Sequence, residues 1–568
     1  MSNDVLTADA RASLEELYTR RTPSSARAME RARRYMVRGL TRGWGYHRPY
    51  PIVAERGEGP YLFDLDRNRY VDLANNGLSL IHGHAFPPVV AALQAAVQRG
   101  SGWLVPSEEQ IEFARVLCER IEIFERVRFT NSGTESGMLA MKIARTFTGR
   151  QAILKAVDGF HGSYDDLEVG LYDRPEIPGR VYLAPFGDAE AFERQLAEHG
   201  SEIAAVVLEP LMFSGLVTTA PPGFLARVQE AARRAGALFV LDDCLMLRLA
   251  YGGSAERYGL EPDLTFLGKF VGGGMPMGVV GGGAEIMDVL DPHRERPLYH
   301  GGSFNGNLLS SVAGRVSLEH FTAETIAAMD QRASGLRDAL AAEAAAFGLP
   351  LTIVGEGSVM GVYVTDTLER HDGNTFSAGE PTQLLHLAAL TRGVLMGPGG
   401  EIALSSATAG AALDAAHEGL LKALGDVARL TGSSTTEGRT MGKQRVDSPW
   451  GTTFCDSISF SGPGRWIYVS GQIGADADGN MVGETFAEEA DQCFARIALS
   501  LEKAGAKMSD VVKITGYVTS TDDYPDYDLA RGKAFPGTPP SSATVQVAGL
   551  ANAARVEVEA VAFIPDEG

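Results

Sequence analysis

ALFVLDD (237–243) is the run that decides the fold, together with EIAAVVLEP (202–210) and PGFLARVQEAARRAG (222–236) ahead of it. The two apolar runs, each closed by acidic residues, read as buried strands, and the segment between them spaces its apolar residues as an amphipathic helix does. Strand, helix, strand is the repeating unit of an α/β fold with a mostly parallel sheet. Ligands bind such sheets beyond the carboxyl ends of the strands, so polar residues that close apolar runs carry most weight. Three do so in succession: Glu209, Asp242 and, after DLTFLG (263–268), Lys269.

The chain has 568 residues, which at roughly 100–200 per domain makes several domains. Hydrophobic residues are 45% and charged residues 22%, enough apolar material for a large core and too much for global disorder. Lys and Arg number 51 against 72 Asp and Glu, and the resulting charge of −21 repels phosphate backbones and anionic lipid. Neither nucleic acid nor membrane is expected as a partner. Cys118, Cys244, Cys455 and Cys493 show no metal-ligand spacing and no disulfide framework, so no metal is expected and a reducing compartment fits. Residues 1–21 carry Asp4, Asp9, Glu15 and Glu16 and lack a signal's apolar region, so the expected location is cytoplasmic. The 66 glycines imply many tight loops.

TGSSTTEGRTMGKQRVD (431–447) is polar, rich in small residues and without apolar period, and reads as a linker between domains 1–430 and 448–568. Beyond it, ISFSGPGRWIYVSGQIG (458–474) reads as two strands joined through a Gly-Pro-Gly turn, and ETFAEEADQCFARIALSLEKAGA (484–506) as a single amphipathic helix. DVVKITGYVTS (510–520), ATVQVAGL (543–550) and ARVEVEAVAF (554–563) alternate apolar with polar, giving a small α+β domain with one helix-covered sheet.

In the first domain the strand VRF (127–129) runs into TNSGTESGMLAMKIAR (130–145), a small-residue loop opening a helix. Ser132, Gly133 and Thr134 form either an ordinary capped helix start or an anion cradle built on exposed N–H groups and the helix dipole. Asp242 and Asp243 together at a buried strand end need a cationic partner, for which a protonated pyridine nitrogen would serve. Lys269, beside FVGGGMPMG (270–278), sits where a lowered pKa would let it bond covalently to a carbonyl. Phe160-His161-Gly162 completes the constellation.

With EGPYLFDLDRNRYVDLANN (58–76), HGHAFPPVV (82–90), NSGTESGM (131–138), LEP (208–210), PDLTFLGKFVGGGMPMGVVGG (262–282) and HGGSFNGN (300–307), residues 30–430 resemble a class III, fold-type I aminotransferase dependent on pyridoxal 5′-phosphate (PLP), of the glutamate-1-semialdehyde aminomutase branch. The resemblance implies that Lys269 holds the cofactor covalently and carries the substrate proton, and that Asp242 keeps the ring nitrogen protonated. Phe160 would stack on the ring, with His161 beside it. Ser132, Gly133 and Thr134 would hold the phosphate, with Gly302 and Ser303 supplied by the second subunit of a homodimer. Glu209 matches a glutamate that is either catalytic or structural. Asp242-Asp243-Cys244 departs from the usual Asp-Glu-Val. VRGLTRGWGYHRPYP (37–51) occupies the place of substrate recognition. Arg42 aligns best with the carboxylate-binding arginine, Arg38 and Arg48 compete for that register, and Trp44 stands nearby. Glu401, in PGGEIALSS (398–406), matches a glutamate of the aminomutase pattern. The implied reaction is amino-group transfer between a small-molecule amine or amino acid and a carbonyl compound, or its aminomutase variant within one substrate.

SPW (448–450), VSGQIGADADGNMVG (469–483), LEKAGAKMSDVVKITGYV (501–518) and VEVEAVA (556–562) resemble the reactive-intermediate deaminase family (RidA/YjgF), whose domain is chorismate-mutase-like and trimeric. The pairing implies that the second domain binds or processes a reactive imine or enamine, or serves assembly, up to a hexamer. Its cleft would contain Phe454, Ser542 and Glu559. Ser542, in Pro540-Ser541-Ser542-Ala543, stands where deaminating members carry a carboxylate-binding arginine, and a serine cannot replace a bidentate guanidinium.

Overall fold

Seven short strands make the central sheet because nearly every residue in them is apolar or small enough to be covered on both faces. They are β1 (Arg126–Thr130), β2 (Ala152–Ala156), β3 (Val181–Ala184), β4 (Ile203–Leu208), β5 (Leu238–Asp242), β6 (Leu264–Leu267) and β7 (Gly278–Gly282). The structure, a computed structural model, describes residues 3–171, 174–214, 216–368, 379–431, 444–447, 454–459, 464–476, 478–536 and 539–565. It divides into two compact units, Met1–Ser434 and Thr435–Gly568.

The spatial order in the first sheet is β1-β7-β6-β5-β4-β2-β3. β7 runs antiparallel to both neighbours, and the remaining pairs are parallel. Alternate residues serve opposite cores, as strand geometry requires. Val206, Leu208, Phe239 and Leu241 pack with helix α2 (Phe224–Ala235) through Phe224, Leu225, Val228 and Ala232. Ala205, Val207, Leu238 and Val240 pack with helix α1 (Gly133–Thr148) through Leu139, Ala140, Ile143 and Ala144. Each large side chain so buried contributes about 1.5–3 kcal/mol. The carboxyl ends of β4, β5 and β6 therefore emerge together at one edge.

The second unit is a six-stranded sheet of β8 (Gln444–Asp447), β9 (Cys455–Ser459), β10 (Gly464–Ile473), β11 (Val511–Val518), β12 (Ser541–Gln546) and β13 (Val556–Pro565), in the order β8-β9-β12-β11-β13-β10. Helix α3 (Phe486–Lys503) covers it with Phe486, Ala490, Cys493, Phe494, Ile497 and Leu501. Three expectations need correction. Gln444–Asp447, taken above as linker, pair with β9, since ladder hydrogen bonds are made by backbone and need no apolar period. The two strands flanking the Gly-Pro-Gly run do not pair with one another: three strands separate β9 from β10. Gly462 and Pro463 of that run, like SPW (448–450), lie outside the described residues. A second helix, α4 (Tyr524–Ala534), joins α3; its sequence YPDYDLARGKA hides it because Arg531 occupies a buried position. Among the described residues no helix is long and apolar enough to cross a membrane.

Candidate active site

Asp242 closes β5, Glu209 follows β4 and Lys269 follows β6 by two residues. With Phe160, Phe213, Ser214, Leu245 and Met246 they line one pocket at the carboxyl edge of the sheet. Lys269 has φ +52°, a left-handed conformation that costs a non-glycine residue of order 1–3 kcal/mol and persists where packing enforces it. The enforcing contact is close at hand. A Cβ on Gly268 would meet the Cα of Gly133 at 2.8 Å, and one on Gly133 would meet the Cys244 Sγ at 2.9 Å. Two glycines thus let the lysine turn and the start of α1 touch.

Asp242 is buried. Its Oδ2 accepts from His161 Nδ1 at 2.9 Å and its Oδ1 from the Cys244 N–H at 3.1 Å. Burial lowers the His161 pKa, so the imidazole orients the carboxylate without neutralising it. His161 therefore sits behind Asp242 and does not line the pocket. Glu209 accepts the Phe160 N–H at 3.2 Å and the Phe213 N–H at 3.3 Å, and burial, reinforced by the Asp242 charge, pushes its pKa up to about 8. Burial likewise raises Asp243 to about 7, and Asp243 accepts the Ser254 N–H at 3.0 Å. Lys155, on β2, is enclosed, donates to the Val169 carbonyl at 2.6 Å and is lowered by burial to about 7.

Ser132 is the N-cap of α1, its hydroxyl accepting the Glu135 N–H at 3.1 Å, while Thr134 Oγ1 accepts the Ser163 N–H at 3.2 Å. Both hydroxyls are engaged, and the free donors of this helix start are its first backbone N–H groups. Gly302 and Ser303 are exposed and lie outside their own chain's pocket.

Arg42, Trp44 and Glu401 come together on a feature absent from the sequence reading. Asn75, Asn76, Gly77 and Leu78 all have positive φ, forming one turn of left-handed helix closed by Leu78 N–H to Ala74 O at 2.8 Å and Ser79 N–H to Asn75 O at 2.9 Å. Such a turn costs roughly 1–2 kcal/mol for each non-glycine residue. Asp72 Oδ1 holds it by accepting the N–H groups of Ala74 at 2.9 Å and Asn75 at 2.7 Å. Asn75 Nδ2 donates to the Ala403 carbonyl at 2.7 Å. Arg42 Nη2 donates to Asn76 Oδ1. A Cβ on Gly77 would lie 3.6 Å from the Trp44 ring and 3.9 Å from Arg42 Nη1. The Trp44 indole donates to Glu401, whose pKa burial raises to about 7. Trp44 packs against the cluster that contains Leu245 and Met246, which join this group to the Lys269 pocket.

In the second unit Arg531, on α4 and 1% exposed, places Nη1 2.9 Å from Ser542 Oγ. Its guanidinium lies 5.1 Å from the Phe454 ring centre and 5.5 Å from that of Tyr527, and it pairs with Asp528. Sequence reasoning missed this arginine, which stands beside the serine found in an arginine's place. Glu559 does not join the group within one chain. Ser542 is in register with Ile514 and Ile514 with Ala560, both core residues, so Glu559 points to the opposite face, where the Tyr517 hydroxyl donates to it at 3.2 Å.

A lysine held in a strained turn over a buried strand-end aspartate, beside a helix start rich in small residues, defines a fold-type I PLP enzyme. Residues 45–424 match the family model "Aminotransferase class-III", and residues 456–564 match "Endoribonuclease L-PSP", the family that includes the RidA-like domains. A glutamate-1-semialdehyde 2,1-aminomutase of Myxococcus xanthus is 39% identical over 330 residues, covering 56% of this chain and 76% of the relative. A beta-phenylalanine transaminase of Variovorax paradoxus is 35% identical over 393 residues, covering 68% and 89%. A solved transaminase with PLP bound superposes with TM-score 0.68 at 31% identity, over 72% of this chain and 98% of that one. The chain belongs to the class-III aminotransferases and carries a C-terminal RidA-like domain. It is a PLP-dependent enzyme acting on small molecules.

Proposed function

We propose that the first unit moves an amino group between an amino acid or amine and a separate carbonyl acceptor, with Lys269 Nζ as the proton carrier. The observation that carries this reading is the convergence of Lys269, Asp242, Glu209 and Phe160 on one pocket. These residues fit PLP. The Asp242 carboxylate is buried against His161, and a pyridinium nitrogen would give it a cationic partner from the pocket side. Phe160 would lie against the ring, and the N–H groups of Gly133 and Thr134 would take the phosphate. Bound there, the cofactor supplies an electron sink for the substrate carbon. His161 holds Asp242 in orientation, Glu209 stays protonated below about 8 and anchors the Phe160 loop, and the apolar wall of Phe213, Leu245 and Met246 limits water. Arg42 takes the substrate carboxylate, and Trp44 and Glu401 shape the far side of the pocket.

The exposed Gly302 and Ser303, with Tyr299 and Phe304 beside them 86% and 67% exposed, support a dimer in which this loop completes the partner's phosphate site. We assign the RidA-like unit to assembly or ligand holding rather than hydrolysis of 2-imino acids, because the guanidinium beside Ser542 is enclosed and paired with Asp528. Light scattering is expected to give a hexamer for the full chain and a dimer after truncation at residue 435; a dimer in both cases rejects the assembly role. Absorbance spectra during titration with amino acids and amines test the transfer. Conversion of the 420 nm band of PLP enzymes to a 330 nm band, with turnover requiring an added acceptor, is the expected result. Turnover without an acceptor would establish the aminomutase reaction instead.

A further inference from the structure

We propose that Asn76 is the positioning residue that sets this enzyme's preference for carboxylate-bearing substrates, by clamping the guanidinium of Arg42. The inference rests on the reading of Arg42 as the carboxylate receptor. A left-handed turn of Asn75, Asn76, Gly77 and Leu78 is a conformation the chain adopts only where other contacts force it, and such strain collects at functional sites. Here the forcing contacts come from Asp72, Ala403 and the buried Leu78, and what the turn presents is the Asn76 amide. That amide has a fixed sense. The Ser79 hydroxyl donates to the Asn76 backbone carbonyl at 2.9 Å, which leaves its oxygen to accept from Asn76 Nδ2 at 3.0 Å. The amide oxygen must then face away from Ser79, and Arg42 Nη2 is what it meets.

Arg42 is an exposed side chain with several rotatable bonds. A neutral acceptor on one nitrogen removes much of its freedom without cancelling its charge, so less order has to be imposed when a carboxylate arrives. Gly77 completes the turn: it takes φ +68° without strain, and its Cβ position lies in contact range of the Trp44 ring and Arg42 Nη1. An aspartate in place of Asn76 would keep the acceptor but pair with the cation and compete with the substrate.

The test titrates the absorbance change of the PLP-loaded full-length protein with aminooxyacetate and 3-aminooxypropionate, which carry a carboxylate, and with O-methylhydroxylamine, which does not. The informative variant is Asn76→Gly, which keeps a residue tolerant of positive φ and removes only the amide. The tighter-binding carboxylate probe is expected to weaken about tenfold, the size of one lost hydrogen bond to a charged group, with the O-methylhydroxylamine curve unmoved. Asn76→Asp should weaken it at least as much. Equal shifts for both probes, or no shift for either, would overturn the proposal. Arg42→Ala separates the two layers: if it leaves the carboxylate probes unaffected, the reading of Arg42 fails and this inference with it. If Arg42→Ala weakens them and Asn76→Gly does not, the positioning role alone is lost.

Discussion

Each unit of this chain holds a cation beside the end of a strand, and the two are treated in opposite ways. Lys269 follows β6 in a strained turn and opens on a pocket whose floor is Asp242 and Glu209. Arg531 projects from α4 onto Ser542, with Phe454 and Tyr527 against its faces and Asp528 beside it, and is sealed from solvent. A reactive group needs access and an environment whose charge is incomplete without the ligand. A guanidinium enclosed between two rings, a hydroxyl and a carboxylate of its own unit has the character of a strut.

The sharpest way to break the comparison is Lys269→Ala. Turnover should fall by about 10³-fold or more, with the circular dichroism spectrum unchanged, because proton transfer and covalent attachment are lost together. Activity retained within tenfold would mean that the strained lysine is not the reacting group. Next in size is Arg531→Ala. Removing one partner of a buried ion pair typically costs 3–5 kcal/mol, and Asp528 is partly solvated, so about 2–3 kcal/mol of the second unit's stability should go, read as an earlier transition in urea. First-unit turnover should stay constant. A loss of imine clearance without loss of stability would turn the strut into a ligand site. Gly268→Ala should follow, at about 1–3 kcal/mol of strain, visible as weaker PLP retention because the added methyl meets Gly133 at 2.8 Å. Glu401→Gln is the mildest at neutral pH and changes a slope rather than a level. The folded chain keeps the Glu401 proton up to about 7 while an unfolded chain releases it near 4.5, so stability falls as pH rises through that window. The glutamine variant should lack this share of the decline when melting temperatures are compared from pH 5 to 8.

Much of the first site was legible because its signals are local. Glu209, Asp242 and Lys269 end apolar runs, and a charged side chain in a buried strand is costly unless it is paired, so its position draws notice. Ser132 was readable as a cap for the same reason. The left-handed turn was harder. Asn-Asn-Gly tolerates positive φ, but Leu78 does not announce it, and only Asp72, Ala403 and the surrounding core impose it. Arg531 was invisible because a charged residue in a weakly periodic helix looks solvated until its partners from β12 and from the residue ahead of β9 are in place. Gln444–Asp447 were misread because their pairing is a backbone matter decided by a strand elsewhere.

The order of the central sheet also says something about when the enzyme can exist during synthesis. β1, which leads into the helix start, is an edge strand, and its ladder partner is β7, the last strand of the sheet to leave the ribosome. A nascent chain ending just after Lys269 already holds the lysine, the aspartate and the glutamate, yet lacks the strand that β1 pairs with. Gly133 and Gly268 can meet only once residues 278–282 have been threaded between their strands. Competence for the cofactor should therefore switch on late and at once.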